Sequence, residues 1–229
     1  MAGLKVYFDL MSQPCRAVML FLKVNNISFS EKPIDLRHGE HLTEEFGKIN
    51  PMHLVPVIDN NGFILTESDA ILKYLTAYYS VASHWYPEDL QNRARVDEFC
   101  AWSHANLSLS ASGFFEQQVV EPHAKNIPVN QEQLRKFSAE LDGSLKQLES
   151  IFLKDRKYLA GDDITIADVM AVCELMAPYA SGYDIFEGHP KIQTWVELVK
   201  QRLNPHFDDV HVRGPLGMVF AKFNPSANI

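Results

Sequence analysis

Apolar and polar positions alternate over Leu4, Lys5, Val6, Tyr7 and Phe8, the period of two that predicts a strand. The period then changes. After Pro14, residues Val18, Phe21 and Leu22 fall at i, i+3 and i+4, so Pro14 to Val24 reads as a helix with proline in its first turn. Ile27 to Pro33 reads as a second strand, and this β-α-β opening predicts parallel pairing. Two further apolar runs, Val55 to Ile58 and Phe63 to Leu65, flank Asp59-Asn60-Asn61-Gly62, residues that accept positive φ, and so predict a hairpin. Thr66-Glu67-Ser68-Asp69 then opens a helix near Glu67, with Ala70, Ile71, Tyr74 and Leu75 on its apolar face.

From Ser80 to Asp89 the periodicity fails, and Tyr86-Pro87-Glu88-Asp89 marks a stop. No convincing strand follows. Val96, Phe99, Cys100 and Ser103 lie on one helical face, Leu134 to Phe152 forms a second helix, and Val169, Cys173 and Met176 mark a third. Thr165 and Asp168 stand before that third helix at capping-box spacing, which is a structural role. The expected organisation is a domain over residues 1–79, with a mixed four-stranded sheet in βαβ-ββα order, a linker at 80–88, and an all-helical domain over 89–229. No internal repeat is visible.

Composition narrows the function classes. A chain of 229 residues with 46% hydrophobic and 22% charged residues is globular in character and long enough for two domains. The 21 Lys plus Arg against 29 Asp plus Glu give formal charge -8, so neither nucleic acid nor a membrane surface is an expected partner. Cys15, Cys100 and Cys173 are an odd, widely spaced set that fits a reducing compartment better than a disulfide framework. Residues Met1 to Leu10 do not read as a signal peptide, and no run of eighteen apolar residues occurs, so the expectation is a soluble, cytoplasmic protein. None of the nine histidines has metal-ligand spacing. Gly-x-Gly-x-x-Gly, P-loop and Gly-x-Ser-x-Gly motifs are all missing, which argues against dinucleotide, nucleoside-triphosphate and α/β-hydrolase chemistry.

The remaining candidates point to thiol or peptide binding. Ser12, in Ser12-Gln13-Pro14-Cys15 between the first strand and first helix, can donate a hydrogen bond to a bound thiolate beside a helix N-terminus; for an isolated Ser-x-Pro a plain helix cap is the simpler account, and context decides between them. Cys15 invites a thiol-exchange reading, but its place inside the first turn favours burial as a small hydrophobe. Cys100 and Cys173 lie on apolar helical faces and read as core. Val55-Pro56 can be cis, turning the Val55 amide and carbonyl outward to pair with a peptide; proline merely opening an edge strand is the alternative. Glu67 and Ser68 at a helix start can hold the ends of a zwitterion, though both are also ordinary first-turn residues. His41 and His53, in loops of the first domain, can meet a ligand carboxylate or simply face water.

Taken together, the strand followed by Ser12-Gln13-Pro14-Cys15-Arg16, Asn50-Pro51-Met52-His53-Leu54-Val55-Pro56-Val57, Thr66-Glu67-Ser68-Asp69-Ala70-Ile71-Leu72 and Tyr158-Leu159-Ala160-Gly161-Asp162-Asp163-Ile164-Thr165-Ile166-Ala167-Asp168 resemble a cytosolic glutathione transferase. Trp85-Tyr86-Pro87 and Arg93-Ala94-Arg95-Val96-Asp97-Glu98 resemble the theta class, and the resemblance runs to about Trp195. It implies a thioredoxin-like first domain that binds glutathione as co-substrate, with no cofactor, and a helical domain that lines the site of a small hydrophobic electrophile, in a homodimer. Ser12 would bond the glutathione sulfur, Val55 beside cis-Pro56 would pair with the cysteinyl unit, Glu67 and Ser68 would hold the γ-glutamyl end, and His41 and His53 would lie near the glycine end.

Two positions depart from the theta pattern. Leu54 stands where lysine is frequent, with His53 replacing it in a delta-like manner, and Ser108 stands where an arginine reaches the active site. Met11, Leu107, Ala111, Phe114 and Phe115 are the candidates for the electrophile pocket, and helical spacing also reads the last four as core. The implied reaction is conjugation of the thiolate to alkyl or aralkyl halides, epoxides or sulfates, with reduction of organic hydroperoxides as a second capacity. Two other functions fit the same residues: a glutathione-dependent thiol-disulfide exchanger using Cys15, and a non-catalytic binding protein of this fold.

Overall fold

The computed structural model describes residues 3–224. Strand β1 (Leu4–Phe8) leads into helix α1 (Gln13–Val24) and strand β2 (Ser30–Pro33), and a short α2 (Glu44–Gly47) precedes β3 (Val57–Asn60), β4 (Phe63–Leu65) and α3 (Ser68–Tyr78). The sheet order is β2-β1-β3-β4, with β1 parallel to β2 and antiparallel to β3, so the sheet is mixed and four-stranded.

Two strands are shorter than their apolar patterns suggest, each for a local reason. Ile27 is taken by the stop of α1: Asn26 has φ 52°, its amide donates to Lys23 O at 3.1 Å, and the Ile27 amide donates to Leu22 O at 2.9 Å. That closes the helix as a Schellman turn, and β2 starts only at Ser30. Likewise β3 starts at Val57, directly after Pro56, which has no amide hydrogen to give to a ladder; the Val55-Pro56 bond is cis. The hairpin turn is therefore the pair Asn61-Gly62, with φ 55° and 95°, the left-handed pair that matches strand twist.

The second layer is helical: α4 (Leu90–Ala105), α5 (Leu107–Phe115), α6 (Glu121–Lys125), α7 (Gln131–Gln147), α8 (Ile166–Ala180), α9 (Pro190–Leu203), α10 (His206–His211) and α11 (Pro215–Phe223). Val96, Phe99, Cys100 and Ser103 form the buried face of α4, as their spacing predicts. Helix α1 is buried from Cys15 to Leu22, because it packs on the sheet with α3 and against α8 and α10 on its other side. Residues 80–88 are docked rather than loose, with Trp85 buried 5.5 Å from the Phe21 ring and His84 Nδ1 donating to Ile164 O at 2.6 Å. Among the described residues no helix is long and apolar enough to cross a membrane, and no group of His, Cys, Asp or Glu could hold a metal ion.

Helix α8 is the axis of this layer, and its start is pinned by the expected capping box. Asp168 Oδ1 accepts from the Leu159 amide at 2.9 Å and from Trp195 Nε1 at 2.8 Å, while Oδ2 accepts from the Thr165 amide at 2.9 Å and Thr165 Oγ1 at 3.1 Å. Burial pushes this carboxyl's pKa up and the four donors oppose it. Asp168→Ala strands all four in the interior, and urea denaturation is expected to show a loss of ~3–5 kcal/mol.

Candidate functional site

The strand directions bring three loops to one edge of the sheet. Tyr7 at the exit of β1 pairs with Val57 at the start of β3, and Ile58 pairs with Leu65 at the end of β4. Hence Ser12, the Val55-Pro56 turn and Glu67-Ser68 gather there, although they are far apart in sequence. The strand register thus brings the Ser12, Val55-Pro56 and Glu67-Ser68 segments to one edge of the sheet.

Ser12 is half-buried and caps α1, but its Oγ accepts from the Cys15 amide at 3.5 Å, the outer limit for such a bond. Its hydroxyl hydrogen has no protein acceptor among the described residues, so Ser12 can donate outward while its oxygen faces the helix. The first turn of α1 carries no acidic side chain to neutralise the positive end of the helix dipole.

Sequence reasoning missed the residues that hold this loop. Asp9 Oδ1 accepts from the Met11 amide at 2.8 Å and Oδ2 from the Leu36 amide at 3.1 Å, tying the exits of β1 and β2 together. Arg16 is wholly buried: Nη1 donates to Leu10 O at 2.8 Å and Met11 O at 3.0 Å, and Nη2 donates to Cys173 O at 3.0 Å in α8. A charged residue on an otherwise apolar helix face was the available signal. Buried Asn50 does similar work before the cis bond, donating to Leu54 O at 2.8 Å and accepting from the Met52 amide at 3.0 Å.

Beyond Asn50, the Val55 amide and carbonyl make no hydrogen bond among the described residues, which leaves both free for an extended peptide. Glu67 has φ 65° and its side chain makes no cap, so it stands exposed at the head of α3, whose first amides lack intrahelical acceptors. His53, at φ 56°, places Nδ1 2.7 Å from His41 O; a carbonyl only accepts, so Nδ1 carries the hydrogen and Nε2 is left outward-capable. That ring packs on Gly47, where a Cβ would come within 2.9 Å of His53 Cε1. His41 Nδ1 is sealed without a protein partner. Leu54 is exposed, brings no charge, and contributes its pinned carbonyl alone.

The proposed pocket residues divide. Met11 is half-buried beside Ser12, but Leu107, Ala111 and Phe115 belong to the main core and Phe114 packs its ring 5.0 Å from Tyr183. These four are corrected to core: they form the inward face of α5, which packs against α7 and α8. A cleft of about 430 Å³ at the exits of β1 and β2 is lined instead by Phe8, Leu10, Pro33, Ile34 and Pro215, with Asp9, Asp35 and Glu40 at its polar margin. Its walls come from β1, the exit of β2 and the start of α11, so no single periodicity could reveal it. A larger depression, about 560 Å³, takes residues such as Tyr179, Tyr183 and Phe186 and none from the sheet edge.

Cys15 also needs correction as a catalytic alternative. It has no exposed surface, and burial pushes its thiol up to about 12, a value at which thiolate is negligible near neutrality. Cys100 and Cys173 are buried too, and burial pushes both thiols upward.

The chain matches two family models, the glutathione S-transferase N-terminal domain over residues 3–77 and the C-terminal domain over residues 113–202. It is 45% identical over 198 residues to glutathione S-transferase theta-1 of Bos taurus, covering 86% of this chain and 82% of that protein. Human glutathione-S-transferase T1-1 in its apo form superposes with a TM-score of 0.89 at 41% identity, covering 96% of this chain and 90% of that one. A human theta-class glutathione transferase in complex with the glutathione conjugate of 1-menaphthyl sulfate superposes with a TM-score of 0.89 at 37% identity, covering 98% and 90%.

The buried thiols yield a direct check. A disulfide reagent added to native protein near neutral pH is expected to react with none of the three cysteines at an appreciable rate, and with all three after unfolding. Fast labelling of Cys15 in the native state would restore the exchange reading.

Proposed function

Because the chain belongs to the glutathione S-transferases, and within them to the theta class, we propose that this cleft binds glutathione, ionises its thiol against Ser12 and delivers the thiolate to a small electrophile. The enzyme is of the transferase type. The carrying observation is the unspent Ser12 hydroxyl at a first turn of α1 that holds no acidic side chain. Lowering a thiol pKa by one unit requires about 1.4 kcal/mol of preference for the thiolate. One charge-assisted hydrogen bond and the helix terminus supply roughly that.

The remaining residues position the tripeptide. Val55 pairs its free backbone groups with the cysteinyl unit beside Pro56, Glu67 and Ser68 hold the γ-glutamyl end at the head of α3, and His41 and His53 serve the glycine end in place of a cation at Leu54. The electrophile lies in the cleft beside Leu10 and Pro215, where apolar walls suit alkyl and aralkyl groups. Halides, epoxides and sulfate esters are displaced or opened at carbon, and organic hydroperoxides are attacked at oxygen. A human relative that holds the glutathione conjugate of 1-menaphthyl sulfate supports an aralkyl substrate. The reading places the protein in cytoplasmic detoxification.

A homodimer accompanies this function. Phe63, Ile64, Tyr78 and Leu90 are large exposed hydrophobics on β4, α3 and the start of α4, continuous with the ring series Phe63, Tyr74, Tyr78, Tyr79 at centroid spacings of 5.2, 5.3 and 5.0 Å. Such a patch favours a self-complementary partner.

Ser12→Ala is expected to lower kcat/KM by about a hundredfold with glutathione affinity changed only slightly, and to abolish the ultraviolet thiolate band of the binary complex. Unchanged turnover, or a wild-type complex without that band, would favour a non-catalytic carrier. Sedimentation of the wild-type protein at micromolar concentration is expected to give a dimer, and Tyr78→Glu a monomer.

A further inference from the structure

The depression of about 560 Å³ in the helical layer lies where the C-terminal end of α8 meets the 181–189 loop, the start of α9 and the end of α11. Its volume falls in the range of small-molecule sites, and no residue of the sheet domain lines it. Tyr179, Tyr183 and Phe186 supply three aromatic side chains to the lining, and Asp184 and Glu187 supply two carboxylates. Among the described residues no lysine, arginine or histidine lines it.

The rings are braced from behind. The Tyr179 ring has Phe186 at 5.0 Å and Phe220 at 5.6 Å between centroids, while the Tyr183 ring meets Phe114 at 5.0 Å in a T-shaped pair and its hydroxyl donates to Asp142 on α7. The loop that carries them leaves α8 along a fixed path: Gly182, at φ 92°, donates its amide to Tyr179 O at 3.2 Å, and the Tyr183 amide donates to Pro178 O at 3.1 Å. Groups that are already ordered lose little conformational freedom when a ligand arrives.

The charge around these rings is negative and unanswered. Asp184 Oδ1 accepts from the Phe186 amide at 2.9 Å, but neither Asp184 nor Glu187 has an ion-pair partner among the described residues. The last turn of α8 holds no basic side chain to meet the negative end of the helix dipole. The cationic or ionisable groups closest in sequence are engaged elsewhere: Lys222 Nζ lies 5.4 Å from the centre of the Phe223 ring, Lys191 Nζ donates to Lys154 O, and His189 Nδ1 is 3.1 Å from Glu149 Oε2. Burial pushes the phenols of Tyr179 and Tyr183 up, and the carboxylates act in the same direction, Asp184 on the first and Asp142 and Glu187 on the second.

We propose that this depression is a second ligand site, separate from the sheet-edge cleft, which takes a small organic cation with a quaternary or N-methylated ammonium head. Aromatic rings attract such a head through the negative potential of their faces, and its methyl groups suit the same apolar surface. Asp184 and Glu187 at the rim add the Coulomb attraction that a neutral ligand would not feel, and they repel an anion. A strongly hydrated ammonium with free hydrogens gains less, because the rings offer it few acceptors in exchange for its water.

The test titrates the full chain with benzyltrimethylammonium, benzyl alcohol and benzenesulfonate by calorimetry, with and without saturating glutathione. The cation is expected to bind with saturation at one site, about tenfold or more tighter than the alcohol, with the sulfonate not binding and with glutathione changing its affinity by less than about twofold. Added sodium chloride is expected to weaken it. The double variant Asp184→Asn/Glu187→Gln is expected to lose about tenfold in affinity for the cation, and Phe186→Leu, which keeps apolar bulk without a ring face, about fivefold. Both variants are expected to conjugate glutathione to an alkyl halide within about twofold of wild type. No saturable binding by wild type, equal binding of the alcohol, or displacement of the cation by glutathione would each overturn the proposal without any variant. Wild-type affinity for the cation in either variant would overturn it too, by placing the cation elsewhere on an acidic surface. Failure of the wild-type chain to conjugate the halide would count against the transferase reading and leave the cation titration to be judged by itself.

Discussion

The structure depends on one buried guanidinium. Arg16 lies inside an apolar helix, wholly removed from solvent, and its terminal nitrogens join the carbonyls of Leu10 and Met11 to that of Cys173. Burying a cation costs several kcal/mol, and only hydrogen bonds to otherwise unsatisfied groups offset it. Here three carbonyls from two domains are satisfied by one side chain, so the loop before Ser12 and the middle of α8 are held as a single unit. The domain interface and the mooring of the loop before Ser12 are thus the same physical object.

Around that anchor, the candidate site residues occupy the places where local rules are relaxed. Ser12 caps its helix at the limit of hydrogen-bond length, Glu67 and His53 adopt positive φ without being glycine, and the Val55 backbone is unpaired beside a cis bond. Each costs some local stability, and each is held by neighbours: Asp9 for the first loop, Asn50 for the second, the register of β4 with β3 for the third.

The two buried carboxyls of α8 show how unequally a fold can supply donors to the same chemistry. Six positions apart on one helix, Asp168 meets four donors and Glu174 one. Burial pushes both carboxyls up, opposed by four donors at Asp168 and by one donor and the Arg16 guanidinium at Glu174. Nothing in the local sequence around Glu174 distinguishes it from an ordinary helical glutamate.

Local order was legible in the chain. The period of two in β1, the Asn61-Gly62 turn, the buried face of α4 and the Thr165-Asp168 box follow from neighbours within a few residues, where backbone preference and side-chain spacing act directly. So did the candidacy of Ser12, Val55, Pro56, Glu67 and Ser68, through motif resemblance. What required the tertiary structure were matters of convergence: that the three loops meet at one edge, that Leu107, Ala111, Phe114 and Phe115 face inward, that the apolar cleft is built from β1, β2 and α11, and that Cys15 is sealed. The physical reason is that burial and desolvation are properties of what packs around a residue from distant parts of the chain, and these decide which groups keep protons, which carry charge and which can touch a substrate.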